Sequence, residues 1–465
     1  PTLTSLDASC NALTGGGGEQ SAALDLLHVA LSPTSPMISL MLGGNCFGDE
    51  TATLICMLLP SNTTLTCLDV RSEELSPGSA TKLADGILSA GERLHNFGGI
   101  PLQPLAMGAL TSLDLAGACL GHAEAYVLGE LALSSMPLLY LNVDGHELLS
   151  VTELRGEPDA CTECDLSHAG LGTASAIVIA TLISANTVIT TLNLSNNRLG
   201  ARAVSAIAEA LPLQTTLTHL DLSGNSIGVD GAKALSEALI QVNCSVHTIA
   251  LEGAHTLPVR ALRGSEPSRT LKLERRNLGH LSAVFIAGLV RVHPSLTALS
   301  LAENHLGPKG CTAIINAMRH NKVREPPCTH TPHIYSHFSH SPFPLQQCTS
   351  LDVSNNDIGR EGALAIGNHL ILHEKACLLS SINLDGFQLP VRKLRGTGAD
   401  DPSALPGSIS SSTAKPVDNL DLHKKKLGPL SGLVIGQLIR SNPHLTNLSL
   451  AGNNLGVAGA VAIAE

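Results

Sequence analysis

The sequence predicts an α/β solenoid, with short parallel strands on a concave face and helices on a convex one. Three observations predict it. A twelve-residue pattern recurs along the chain. Its copies stand 28 residues apart wherever two are adjacent. Each is followed by an Ala-rich stretch with apolar residues at helical spacing. Composition agrees: of 465 residues 43% are hydrophobic, yet only 2% are aromatic and Trp is absent. Leu, Ala, Ile and Val must therefore fill the interior, which suits repeated thin layers better than one large core.

The pattern is clearest at Ile189–Gly200 (ITTLNLSNNRLG). It returns at Leu217–Gly228, Leu296–Gly307, Cys348–Gly359 and Leu445–Gly456. Apolar residues hold the first, fourth, sixth and eleventh places, so the fourth and sixth read as one buried face of a short strand. The ninth place is Asn (Asn197, Asn225, Asn304, Asn356, Asn453), whose amide suits backbone groups left over where the chain leaves the strand. Leu171, Leu199 and Ile227 share the eleventh place at 28-residue intervals. That length leaves room for a full helix, and Ala203–Leu211 and Ala232–Leu239 carry the helical pattern.

The exceptions are ordered too. Leu149–Gly156, Leu257–Gly264 and Leu389–Gly396 are three copies of a short, helix-poor unit ending in Leu-Arg-Gly. Their arginines, Arg155, Arg263 and Arg395, lie 108 and then 132 residues apart, and the excess falls in a Pro/His-rich insertion at 322–347. A Ser/Pro loop at 397–416 is a second insertion, and a third is expected near Leu94–Met107. The expected organisation is divergent repeats with a loop insertion over 1–120, repeats over 121–321, the insertion 322–347, and repeats over 348–465 broken by the 397–416 loop. The chain starts at Pro1 and ends within a helical pattern at Glu465, which reads as a piece of a larger protein.

Formal charge is −11, from 28 basic and 39 acidic residues without clustering. This balance argues against nucleic acid and against a membrane surface. No apolar run reaches the roughly 18–20 residues of a membrane span, and no secretion signal is visible. Cys161 and Cys164 form a CxxC, but the repeat register puts both at buried strand positions, as small hydrophobes. Scattered free thiols favour a reducing, cytoplasmic setting. His330, His333, His337 and His340 have metal-ligand spacing, but Pro326, Pro327, Pro332, Pro342 and Pro344 oppose the helix that would align them. No metal, no cofactor and no catalytic constellation is expected.

The register makes the concave face legible. Thr191, Asn193 and Ser195 project outward from one strand, and His219, Asp221 and Ser223 from the next. Ser300 and Glu303, then Asp352 and Ser354, do so later. These side chains are small and polar, without the Trp or Tyr anchors that dominate tight interfaces. Basic residues gather in two equivalent units, and Lys272, Arg275, Lys424 and Lys425 would form a stripe for an acidic partner or simply a solvated face.

The unit LxxLxLxxNxLGxxGAxAIAxAL, quoted from Ile189 to Leu239 and again at Leu296–Met318 and Leu445–Glu465, resembles the ribonuclease-inhibitor-like leucine-rich repeats. The repeat regions of NOD-like receptors and of the Ran GTPase-activating protein are similar. The resemblance implies a right-handed α/β horseshoe that recognises protein partners inside the cell and is not an enzyme. A GTPase-activating protein of the Ran type is the catalytic alternative.

Overall fold

The computed structural model describes residues 2–13, 20–72, 75–144, 148–157, 160–241, 244–253, 255–266, 268–319, 348–372, 379–396 and 417–465. Two of the three expected insertions, 322–347 and 397–416, lie outside the described residues. The chain divides into two compact units, Pro1–Ala234 with Asn243–Val246, and Leu235–Val242 with His247–Glu465. The division falls inside the stretch 121–321, which the repeat pattern alone reads as one run.

Both units are built from the predicted strand–helix repeat. In unit one Ser5–Asp7, Ser39–Met41 and Cys67–Asp69 pair in parallel, as do Glu163–Asp165, Thr191–Asn193 and His219–Asp221. In unit two Thr270–Lys272, Ala298–Ser300, Ser350–Asp352 and Ser381–Asn383 do the same. The register is in phase with the repeat, so Leu192 faces Leu220 and Leu299 faces Leu351. All four are buried. Helices of unit one pack in chain order, Pro77–Ser89 on His122–Ser134 and that on Thr173–Ser184. Those of unit two follow the same rule from His280–Val290 to Gly456–Ala464. The helix Ala201–Ala210 shows why: Ala203, Val204, Ile207 and Ala210 share the face it buries.

Two side-chain ladders join successive repeats. Asn304 shows the first. Its carbonyl accepts the amides of Arg276 (2.8 Å) and Leu278 (3.1 Å), and its NH2 donates to the carbonyls of Leu273 and Leu301, both at 2.8 Å. One buried side chain thus satisfies four backbone groups of two repeats. Asn197, Asn225, Asn356 and Asn453 repeat the arrangement, and Asn45 extends it to the first repeats. The second ladder is at the second place. The hydroxyls of Thr218, Thr297, Ser380 and Thr446 each donate to a carbonyl of the preceding repeat, at 2.9–3.0 Å.

The short units are antiparallel hairpins, and there are four among the described residues. Asn96–Phe97 pairs with Ile100–Pro101, Tyr140–Asn142 with Leu149–Ser150, Thr248–Ala250 with Leu257–Pro258, and Ser381–Asn383 with Gln388–Pro390. A five-residue helix follows each: Leu102–Ala106, Val151–Arg155, Val259–Arg263 and Val391–Arg395. The segment Leu94–Met107, expected as an insertion, is the first hairpin. Its Arg is replaced by Ala106 and its turn shortened to Gly98-Gly99. In the other three, the Gly of Leu-Arg-Gly ends the helix in the left-handed conformation (φ 74° to 79°) that its lack of a Cβ permits.

Three devices splice the hairpins into the stack. The Arg reaches back to carbonyls in the last turn of the preceding long helix or just beyond it. Arg155 donates to Ser135 (3.0 Å) and Leu138, Arg263 to Leu239 (3.2 Å) and Gln241 (3.1 Å), and Arg395 to Leu370. A carboxylate in the turn reaches forward to the next helix N-terminus. Asp144 accepts from Gly172 (2.7 Å), Glu252 from Gly279 and Ser282 (both 2.9 Å), and Asp385 from Ser431 (2.7 Å). Finally, Asn186 and Asn442 of the next repeat donate back to the last carbonyls of the short helix.

The repeat after a hairpin is altered. Its ninth place is Ala118, Ala169, Arg276 or Lys425 in place of Asn, because no standard strand-exit loop precedes it to receive the amide. Its first place is also less covered. Cys161, expected to be buried, is exposed, while Cys164 at the fourth place is buried as expected.

Candidate protein-binding face

Outward strand positions are where the fold leaves side chains with no packing role, so they are the candidate surface. Many nevertheless work for the fold. Asn193 accepts the amide of Ser195 at 3.0 Å. Asp221 accepts both the amide and the hydroxyl of Ser223 (2.8 and 2.7 Å), and Asp352 does the same for Ser354 (3.0 and 2.7 Å). An Asp or Asn at the fifth place thus closes the turn out of each strand. Ser195 and Ser354 are buried, whereas Thr191, Asn193, Asp221, Ser223, Ser300 and Asp352 are half-buried. His219 is exposed, with Nδ1 2.7 Å from the Thr218 hydroxyl. The same turn bonds hold Asp7, Asp165 and Asp421 below the usual carboxylate range, through the amides of Ser9, Ser167 and His423. These carboxylates stay ionised.

The four basic residues are exposed, but they do not share a sheet. Lys272 and Arg275 belong to the repeat that opens the sheet at Thr270–Lys272. Lys424 and Lys425 belong to the one that opens the two-stranded sheet Asn419–Asp421 with Asn447–Ser449. Arg275 is bound on both sides of its fork to Glu303, at 2.7 Å, which lowers the Glu303 pKa and turns both charges inward on each other. Lys425 lies 5.7 Å from the centre of the Phe387 ring.

Charge separates the two units. The described strands of unit one carry Asp7, Asp69, Asp114, Glu163, Asp165 and Asp221 and no Lys or Arg; those of unit two carry Lys272, Asp352 and Asp421. Just beyond its strand, Asp69 is paired with Arg71 at 2.7 Å.

An aromatic residue does stand on this face. Tyr140, at the third place of the second hairpin, is 48% exposed, the only aromatic side chain so open among the described residues. The consensus repeats do not reveal it because it sits in a hairpin, where the outward residues follow no consensus. Its parity in Tyr140-Leu141-Asn142, around the buried Leu141, was the available signal.

Beneath the first hairpin lies a buried acid. That turn has no carboxylate, and Glu124 in the first turn of His122–Ser134 takes its place. It is 1% exposed under Gly98, beside Asp69 and Arg71. Burial pushes it up to about 7. Burial likewise pushes the Cys164 and Cys311 thiols up to about 12. Among the described residues no group of three or more His, Cys, Asp or Glu is placed to hold a metal ion, and no helix is long and apolar enough to cross a membrane.

Comparison with known proteins agrees with this architecture. Five stretches, 185–208, 214–236, 292–314, 349–367 and 441–464, match the leucine-rich-repeat family. These five stretches are leucine-rich repeats. No curated protein matches it. Among solved structures, leiomodin-1 actin-binding site 2 is similar at 20% identity over 36% of this chain and 84% of that one, with a TM-score of 0.25. Neither comparison bears on ribonuclease inhibitor, NOD-like receptors or the Ran GTPase-activating protein.

Proposed function

We propose that this leucine-rich-repeat protein is a recognition module that binds a protein partner on its strand face and catalyses no reaction. The observation that carries the reading is the fate of the polar side chains. Ladders and turns tie them to the backbone, which makes a rigid, preorganised surface and leaves the remaining outward positions free to vary for a partner. Within each unit, strands spaced about 4.8 Å apart and helices about 10 Å apart would bend the stack toward its strands, as in a ribonuclease-inhibitor-type repeat. The GTPase-activating alternative would need an arginine held out toward a partner. Arg155, Arg263 and Arg395 instead cap helices, and Arg275 is bound to Glu303. A cytoplasmic location fits the free, buried thiols of Cys164 and Cys311.

Short displayed peptides selected on the full chain test the reading. Binders should be lost on strand-face reversals such as His219→Glu with Asp221→Arg, and kept on helix-face reversals such as Arg202→Glu with Glu209→Arg. Binders sensitive only to the helix-face pair would refute it.

A further inference from the structure

We propose that the second hairpin is the docking centre of unit one, and that it takes a basic polypeptide segment carrying an apolar side chain. This rests on the strand-face reading above and narrows it to one place and one partner chemistry.

The four hairpins are an internal control. In each, the outward residue at the third place stands diagonal to the outward residue that begins or precedes the return strand. The pair is Asn96 and Gly99 in the first, Thr248 and Thr256 in the third, and Ser381 and Gln388 in the fourth. In the second it is Tyr140 and Leu148. Three copies fold with small or polar residues there, so the hairpin itself does not require apolar ones. Yet Tyr140 is 48% and Leu148 59% exposed, and Leu139 next to them is 40% exposed. Diagonal residues on a hairpin face are about 7–8 Å apart, close enough for one apolar side chain to touch both. Exposed Tyr and Leu side by side are what a binding surface needs and what a solvated face avoids.

Charge names the occupant. Tyr140 pairs with Ser112, whose strand ends at the exposed Asp114, and the first strand after the hairpin, which opens the next sheet, presents the exposed Glu163 and Asp165. The bond from Ser167 keeps Asp165 ionised. No described strand of unit one carries Lys or Arg, so the charge that its strands present to a partner is acidic. Lys and Arg side chains on the partner would answer the carboxylates, and an Arg would also stack on the Tyr140 ring.

Peptides selected as above are measured on the full chain and on Tyr140→Ser/Leu148→Gln, which installs the residues the fourth hairpin already carries. The proposal expects net-basic binders with at least one large apolar residue, weakened by salt. The double variant should weaken them about tenfold or more while leaving the melt unchanged. On the unmutated chain, binding should protect the amides of residues 139–142 and 148–150 from exchange, which decides the matter if the variant does not fold. Binders that need His219 but ignore Tyr140 and Leu148, or that are net acidic, overturn this proposal and leave the strand-face reading standing. No binder at all, or binders indifferent to the whole strand face, overturns both.

Discussion

A regular repeat and a hairpin repeat place the same buried Leu at the same strand position, yet they treat their neighbours differently. The regular repeat offers its successor a strand edge, a loop to receive an Asn and a carbonyl to receive a Thr. The hairpin folds its own return strand onto that edge and offers a carboxylate and a short helix. Leu192 and Leu141 are equally buried, but Thr191–Asn193 has parallel partners on both sides, while Tyr140–Asn142 has one parallel partner and its own return strand. The hairpin therefore ends one run of ladders and starts the next. A position's consensus residue has meaning only relative to the kind of repeat before it.

The largest test of this difference is at the ninth place. Asn304→Ala strands four backbone groups, and a loss of about 4 kcal/mol is expected in the denaturant melt of the chain. Ala169→Asn restores the consensus residue after a hairpin and should destabilise by about 1 kcal/mol, because a buried amide there finds no strand-exit loop. Stabilisation by Ala169→Asn would break the account.

Glu124 sharpens it next, because it does for the first hairpin what a turn carboxylate does for the others. Its pKa is raised in the folded state, from 4.5 to about 7. The native chain thus holds a proton that the unfolded chain releases. The associated stability is full below about pH 4.5 and is lost as pH rises through about 7. At 1.36 kcal/mol per unit this reaches about 3 kcal/mol. Glu124→Gln should remove that part of the pH dependence, measured as midpoints between pH 4.5 and 8.

Arg155→Met follows. The buried guanidinium holds the Ser135 and Leu138 carbonyls, and its loss should cost about 2 kcal/mol in the same melt. Smallest is Asp144→Ala, which removes the bond to the Gly172 amide and should cost about 1 kcal/mol. Equal effects from Asp144→Ala and from Glu163→Ala, an exposed carboxylate of the next strand that caps no helix, would show that the forward splice does not operate.

Much of this was legible in the sequence. The 28-residue period, the Asn ladder and the places of three of the four hairpins, though not their antiparallel pairing, follow from residue type and spacing, because a buried strand position or a left-handed turn admits few residues. The first hairpin was hidden because Ala106 stands where Arg stands elsewhere, and because Glu124, a full helix entry away, supplies the missing carboxylate. Cys161 read as buried because the consensus assumes a regular repeat before it. Tyr140 escaped for the converse reason: outward positions carry no consensus, so only the observed exposure singles it out. The hydrogen bonds that occupy Asp221 and Asp352 could not be counted from sequence either, since an Asx turn and a free carboxylate have the same letter.

The most direct measurement is residue-resolved amide exchange on the intact chain. If hairpins end the ladders, the third-place amides of the strands that reopen them, Ser112, Glu163, Thr270 and Asn419, have no preceding strand to donate to. They should exchange about a hundredfold faster than the equivalent amides of Thr191, His219, Ala298 and Ser350, which donate to the repeat before. Uniform protection across the two sets would contradict the division into runs.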